Sequence, residues 1–190
     1  MNQTCRQVIT LLCLFALVIL NPPAIRAQEE ASTEDENTLP RQFKEIVLGM
    51  SLDNLKTVLL NDDLFNFRGD KDVSFIPVRE ESLVETTGSS FIKRAFFQLR
   101  DGSLFIMSFS LNTEIIDYYS VFTKFVNKYG QPSYLDPKEA VWETEETRVA
   151  VERPLTVKYI DKTVFNDIIS ESTLIQSRRV EQRQDFLDEF

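Results

Sequence analysis

The 190-residue chain contains no histidine. That excludes imidazole general acid–base catalysis, the Ser-His-Asp triad and the commonest zinc ligand. Cysteine is nearly missing, with Cys5 and Cys13 the two present, both near the N-terminus. Beyond them there is no thiol for a disulfide, a thiolate nucleophile or a Cys metal site. The five glycines, at 49, 69, 88, 102 and 130, are too scattered to form a phosphate loop. Gly88-Ser89-Ser90 lacks the spacing of a nucleophile elbow and is expected to be a turn. Basic residues are also in deficit, 21 against 30 acidic ones, giving a net charge of −9. That balance argues against nucleic acid or an anionic membrane surface as partner, since phosphate contact needs clustered Lys and Arg. What the chain does have is 43% hydrophobic residues and 15 Phe, enough to build a core.

Residues 1–27 have the shape of a secretory signal: Arg6, then an apolar run from Val8 to Leu20, then Asn21-Pro22-Pro23 and Ala24-Ile25-Arg26-Ala27. The run of 13 residues is short of the ~20 needed to span a bilayer. Cleavage is expected after Ala27, and the protein is expected to be periplasmic or secreted. Losing Arg6 and Arg26 moves the net charge from −9 to −11. Neither Cys5, after Thr4, nor Cys13, after Leu12, follows the small residue expected of a lipid acceptor. Residues 28–42 are rich in Glu and Asp with little to bury, and read as a disordered linker. The folded domain is expected over 43–170, with a helical tail over 171–190.

Within the domain, Ser51 caps a helix predicted over 52–60, where Leu52, Leu55, Val58 and Leu59 follow helical spacing. Strands are predicted at 73–78 and 81–86. A hairpin is predicted at 91–111, turning at Asp101-Gly102, a pair that tolerates the positive φ angles of a type I′ turn. On its second arm, strict alternation puts Phe105, Met107, Phe109 and Leu111 on one face and Leu104, Ile106, Ser108 and Ser110 on the other. A second helix is expected from Ile115 to Tyr129, capped by Thr113, with Gly130 and Pro132 ending it. Strands are then predicted at 140–144, 147–153 and 155–160, followed by helix from Asp161.

The expected class is α+β: an antiparallel sheet of about six strands with two helices on one face, and a C-terminal helix. The order suggests a duplicated α-β-β-β unit, 43–111 and 113–160. Gly49-Met50-Ser51-Leu52-Asp53-Asn54-Leu55 and Lys128-Tyr129-Gly130-Gln131-Pro132 resemble two patterns of small envelope proteins. The first resembles the helix start of BamE/SmpA-type outer-membrane assembly lipoproteins. The second resembles the helix exit of that type and of the β-lactamase-inhibitor-like fold, itself a duplicated helix-plus-sheet unit. The resemblance implies an envelope-associated domain.

Carboxylates are the remaining reactive groups. Asp62, Asp63, Asp70 and Asp72 crowd around Gly69, but not at EF-hand spacing. Glu143, Glu145, Glu146 and Glu152 are the candidates for a hydrolytic pair. We expect no metal or cofactor. The leading expectation is a soluble, non-enzymatic module that binds a protein of the envelope and has no stable membrane span once the signal is removed. A small apolar ligand held on the sheet face is the alternative, and a carboxylate-based hydrolase the third. Trp142, Phe96, Phe186 and Phe190 are the candidate partner or ligand surface.

Overall fold

The computed structural model describes residues 39–76 and 80–190. The expected signal, and the linker up to residue 38, lie outside the described residues. The described residues begin at Leu39, four residues before the expected domain boundary, and already belong to the fold there: Leu39 packs on the core and Arg41 pairs with Asp161. A short hairpin of β1 (Gln42–Phe43) and β2 (Ile46–Val47) follows, unforeseen in the sequence because each strand is only two residues long. It sinks Ile46 completely into the core.

Helix α1 (Leu52–Asn61) starts where expected. The Ser51 hydroxyl accepts from the Asn54 N–H, and Asp53 complements the positive end of the helix. A 3₁₀ turn (Gly69–Asp72) leads into β3 (Val73–Ile76), and residues 77–78 of the expected strand fall outside the described ones. Strands β4 (Glu81–Thr87), β5 (Ile92–Arg100) and β6 (Ser103–Leu111) complete a meander. Asp101 and Gly102 take φ of 51° and 76°, as a type I′ turn requires.

Helix α2 (Tyr118–Tyr129) begins three residues later than the apolar spacing suggested. Thr113 is not its cap. The Asn112 backbone and side chain take the N–H groups of Glu114, Ile115 and Ile116 in a turn, and Asp117 caps the helix by accepting from Ser120. A second meander follows: β7 (Tyr134–Leu135), β8 (Glu139–Glu143), β9 (Thr147–Glu152) and β10 (Thr156–Asp161). Helix α3 (Lys162–Asp188) then runs as one continuous helix into the expected tail. Asp161 caps it, accepting from the N–H groups of Thr163 and Val164.

All eight strands β3–β10 form one antiparallel sheet, ordered β3-β4-β5-β6-β10-β9-β8-β7. The class is α+β as expected, with eight strands rather than about six. Each half is one helix followed by a four-stranded meander, and the last strands of the two halves, β6 and β10, pair at the centre. α1 and α2 cover the same face. There Leu55, Leu59, Phe97, Met107, Phe109, Trp142, Val149 and Val151 share one core with Phe122 and Phe125.

One register detail reverses an expectation. Gln98 pairs with Ile106 but Leu99 pairs with Leu104, so Phe105 is an extra residue in β6. Past this bulge the alternation changes phase. Leu104 joins Met107 and Phe109 in the core, whereas Phe105 joins Ile106 on the opposite face.

Candidate functional site

The face away from α1 and α2 is where the fold leaves side chains without cover. Its cross-strand rows follow from the register. Leu83, Gln98, Ile106, Ile160, Arg148 and Glu143 form one row across six strands. Glu85, Phe96, Ser108, Lys158, Ala150 and Val141 form the next. The third is polar throughout: Thr87, Arg94, Ser110, Thr156, Glu152 and Glu139.

The start of α3 seals only one end of this face. Val164, Phe165 and Ile168 pack on Phe105, Ile106 and Ile160. One turn later Glu171 pairs with Arg100 at the end of β5, and with that exposed contact the docked stretch ends. From Ser172 on, every residue of the helix is exposed. Beside Phe165 the sheet leaves an open cavity of about 430 Å³, floored by Leu83, Phe96, Ile106 and Ile160 and edged by Arg148 and Lys158. Lys158 pairs with Glu152 at 2.7 Å, and Arg148 reaches Glu139 at 3.4 Å. Arg148 Nε is buried without a hydrogen-bond partner.

The four sequence-predicted surface residues separate. Phe96 lies half-buried on the open face and lines the cavity. Trp142 does not share that surface: it is 3% exposed, on the core side of β8 against Phe122 and Phe125, and its Nε1–H donates to the Gly130 carbonyl at 2.9 Å. Its position two residues from Ala140 in a strand fixes this, since both side chains share the buried face. Phe186 and Phe190 stand at the tip of α3, 63% and 94% exposed, their rings edge-to-face at 5.3 Å.

The carboxylates do not converge. Asp62 binds Lys44, Asp70 binds Lys56 and Asp72 binds Arg68, each with its own cation. The Arg68 guanidinium, aided by its own backbone N–H, holds the Asp72 carboxyl below the usual carboxylate range against the opposing effect of burial. Glu143 lies opposite Lys162, Glu152 takes Lys158, and Glu145 and Glu146 form the turn between β8 and β9. Among the described residues no three metal-ligating side chains gather. A wholly polar hollow of about 600 Å³ beside β3 and β4 has most of its charges paired within it, Arg68 with Asp72 and Arg94 with Glu85.

The sequence missed the residues that shape this face. Phe105, Ile160 and Phe165 form its docking patch, and the bulge that turns Phe105 outward leaves no mark in composition. Among the described residues no helix is long and apolar enough to cross a membrane.

Residues 41–171 match the family model of the TP0088 domain, while no curated protein and no solved structure matches the chain. The matched stretch begins at Arg41, which ties the N-terminal segment to Asp161, and stops at Glu171, where α3 leaves the sheet. It takes in both helix-plus-meander halves, and the chain therefore belongs to the TP0088 domain family.

Proposed function

We propose that the chain is an exported, non-enzymatic module of the cell envelope, of the kind its Gly49–Leu55 and Lys128–Pro132 segments resemble, and that it works by holding another protein through the far half of α3. One observation carries this reading. The face of α3 that docks on the sheet does not stop where the sheet stops. Val164 and Ile168 are followed, in helical steps of four and seven, by Ile175, Arg179 and Phe186 on the same side, and Phe190 lies just past the helix end. An amphipathic stripe that continues beyond its support is a surface awaiting a partner, because a helix of mostly polar residues gains its stability from packing one apolar face. Aromatic and Arg side chains are also the types enriched at the centres of protein interfaces.

A photo-activated cross-linking residue at position 186 tests it in the native envelope. A discrete protein adduct is expected there and none at Phe75, which is equally exposed at 62% on the edge strand. Equal yield at both positions, or none at 186, overturns the reading.

The cavity beside Phe165 supports a second reading, a small apolar ligand with an acidic head. Leu83, Phe96, Ile106 and Ile160 would take the chain, and Lys158 and Arg148 the head. A long-chain fatty acid added to delipidated protein should raise its melting temperature, and the rise should vanish in Lys158→Glu. An unchanged melting temperature rejects it.

A further inference from the structure

The exposed stripe of α3 is self-complementary, and this deepens the protein-binding reading on which it rests by naming the partner. Take two copies of the tail antiparallel about a two-fold axis between Gln182 and Arg183. Arg179 of one copy then faces Phe186 of the other, and Gln182 faces Arg183, all within the helix that ends at Asp188. These facing residues are chemically suitable counterparts: guanidinium on aromatic ring, and amide beside guanidinium at the axis. One helical turn away from its facing ring, Arg179 also comes within reach of Glu189 of the second copy, and Arg183 within reach of Asp185.

Charge points the same way. A chain of net −9 repels itself, so it associates best through a segment near neutrality. Residues 175–190 are such a segment, with Arg178, Arg179 and Arg183 set against Glu181, Asp185, Asp188 and Glu189. The first half, 175–182, carries two basic residues and one acidic one, and the second half, 183–190, one basic and three acidic, a bias that an antiparallel pair offsets and a parallel pair does not. The helix is also the part of the molecule able to reach a second copy without a clash between bodies, because it leaves the sheet at Glu171 and all that follows is exposed.

We propose that the chain forms an isologous dimer through antiparallel pairing of the α3 tails, with Arg179, Gln182, Arg183 and Phe186 at the contact. The helical overlap, residues 177–188, is about 18 Å long. That is small for a protein interface, so the dimer is concentration-dependent.

Sedimentation equilibrium of the chain Gln28–Phe190 over a wide concentration range tests this. The average mass should climb from monomer towards dimer. Arg179→Glu should weaken the dimer about tenfold, and Glu189→Arg should do the same, because each sets like charges against each other. The double variant, Arg179→Glu with Glu189→Arg, restores opposite charges across the axis and should recover the dimer. All three variants lie on the exposed tail and should leave the circular dichroism melt of the body unchanged. A monomer at every concentration, or a dimer indifferent to the single reversals, overturns the proposal. If the cross-linker at 186 still captures a foreign protein while the chain stays monomeric, self-pairing fails and the protein-binding reading stands. If it captures nothing and no dimer forms, both fail.

Discussion

α1 and α2 occupy equivalent places in the two halves of the sheet, yet α1 buries Leu55 and Leu59 almost completely while α2 has no fully buried residue. The difference lies in what else covers them. Beside α1, Phe43 and Ile46 of the N-terminal hairpin and Phe65 and Phe67 of the segment after the helix fill the same core, with Phe43 and Phe65 packed on Phe109. α2 relies on its own large rings instead. Tyr118 stacks with Phe122, and both Phe122 and Phe125 lean on Trp142. One half is held by enclosure of aliphatic side chains and the other by coverage with aromatic ones. Coverage secures the helix while leaving each ring half in water, so a truncation there leaves a dent that solvent fills rather than a cavity.

This contrast is open to test by truncation. Leu59→Ala should cost about 3–4 kcal/mol in urea unfolding, because Leu59 is 1% exposed and its removal leaves a cavity enclosed by core side chains. Phe125→Ala removes more atoms but should cost only about 2 kcal/mol, below the range for a fully buried Phe. A Phe125 cost equal to or above that of Leu59 breaks the distinction.

Individual aspartates of the two halves also differ in what holds them. In the first, Asp72 is held by Arg68 with its side chain 2% exposed. Asp72→Asn should cost about 1–2 kcal/mol, since it weakens a charge-assisted pair in a buried setting. In the second, Asp117 and Asp136 are held low by Ser120 and by the backbone N–H groups of Glu139 and Lys138, with no cation in direct contact. All of these carboxyls are shifted down. Their stabilisation is complete above the ordinary Asp pKa of about 4 and is lost as pH falls below it. Raising salt should therefore soften the Asp72→Asn difference, measured by thermal melts at pH 7, and leave Asp117→Asn unmoved. The smallest effect is expected at the far end of α3. Deleting residues 172–190 should change stability by less than about 0.5 kcal/mol, because nothing in that stretch is buried.

Much of the architecture is legible in local chemistry. Asp101-Gly102 marks its hairpin because both residues must take positive φ. Ser51 and Gly130 bound helices through capping, which depends on near neighbours alone. The misreadings share a different cause. Thr113 is as good a cap in isolation as Asp117, and only the turn built on Asn112 decides between them. The Phe105 bulge follows from pairing with β5, a distant partner in register terms, and it reverses which of Leu104 and Phe105 is buried. Trp142 reads as an aromatic on a strand that shares a face with Ala140, and which of the two sheet faces is the core follows only from α2, whose Phe122 and Phe125 pack on that ring. Phe186 reads as a sparse apolar residue in a polar helix, and the structure adds that it lies on the docked side of that helix, with Phe190 just past the helix end.

The joining of β6 to β10 carries a consequence for how the molecule comes to exist. The central pair unites Met107 with Tyr159 and Phe109 with Val157, so the middle of the sheet closes only when the last strand is available. Until then the first meander ends in β6, a nine-residue strand carrying Met107 and Phe109, with one whole edge unpaired. Such an edge recruits strands from other chains. In the finished sheet the outer strands are β3 and β7, of four and two residues, which offer far less to pair with. The vulnerable moment thus precedes completion: a chain stopped before residue 156 should aggregate, whereas one stopped after 171 should fold and stay in solution.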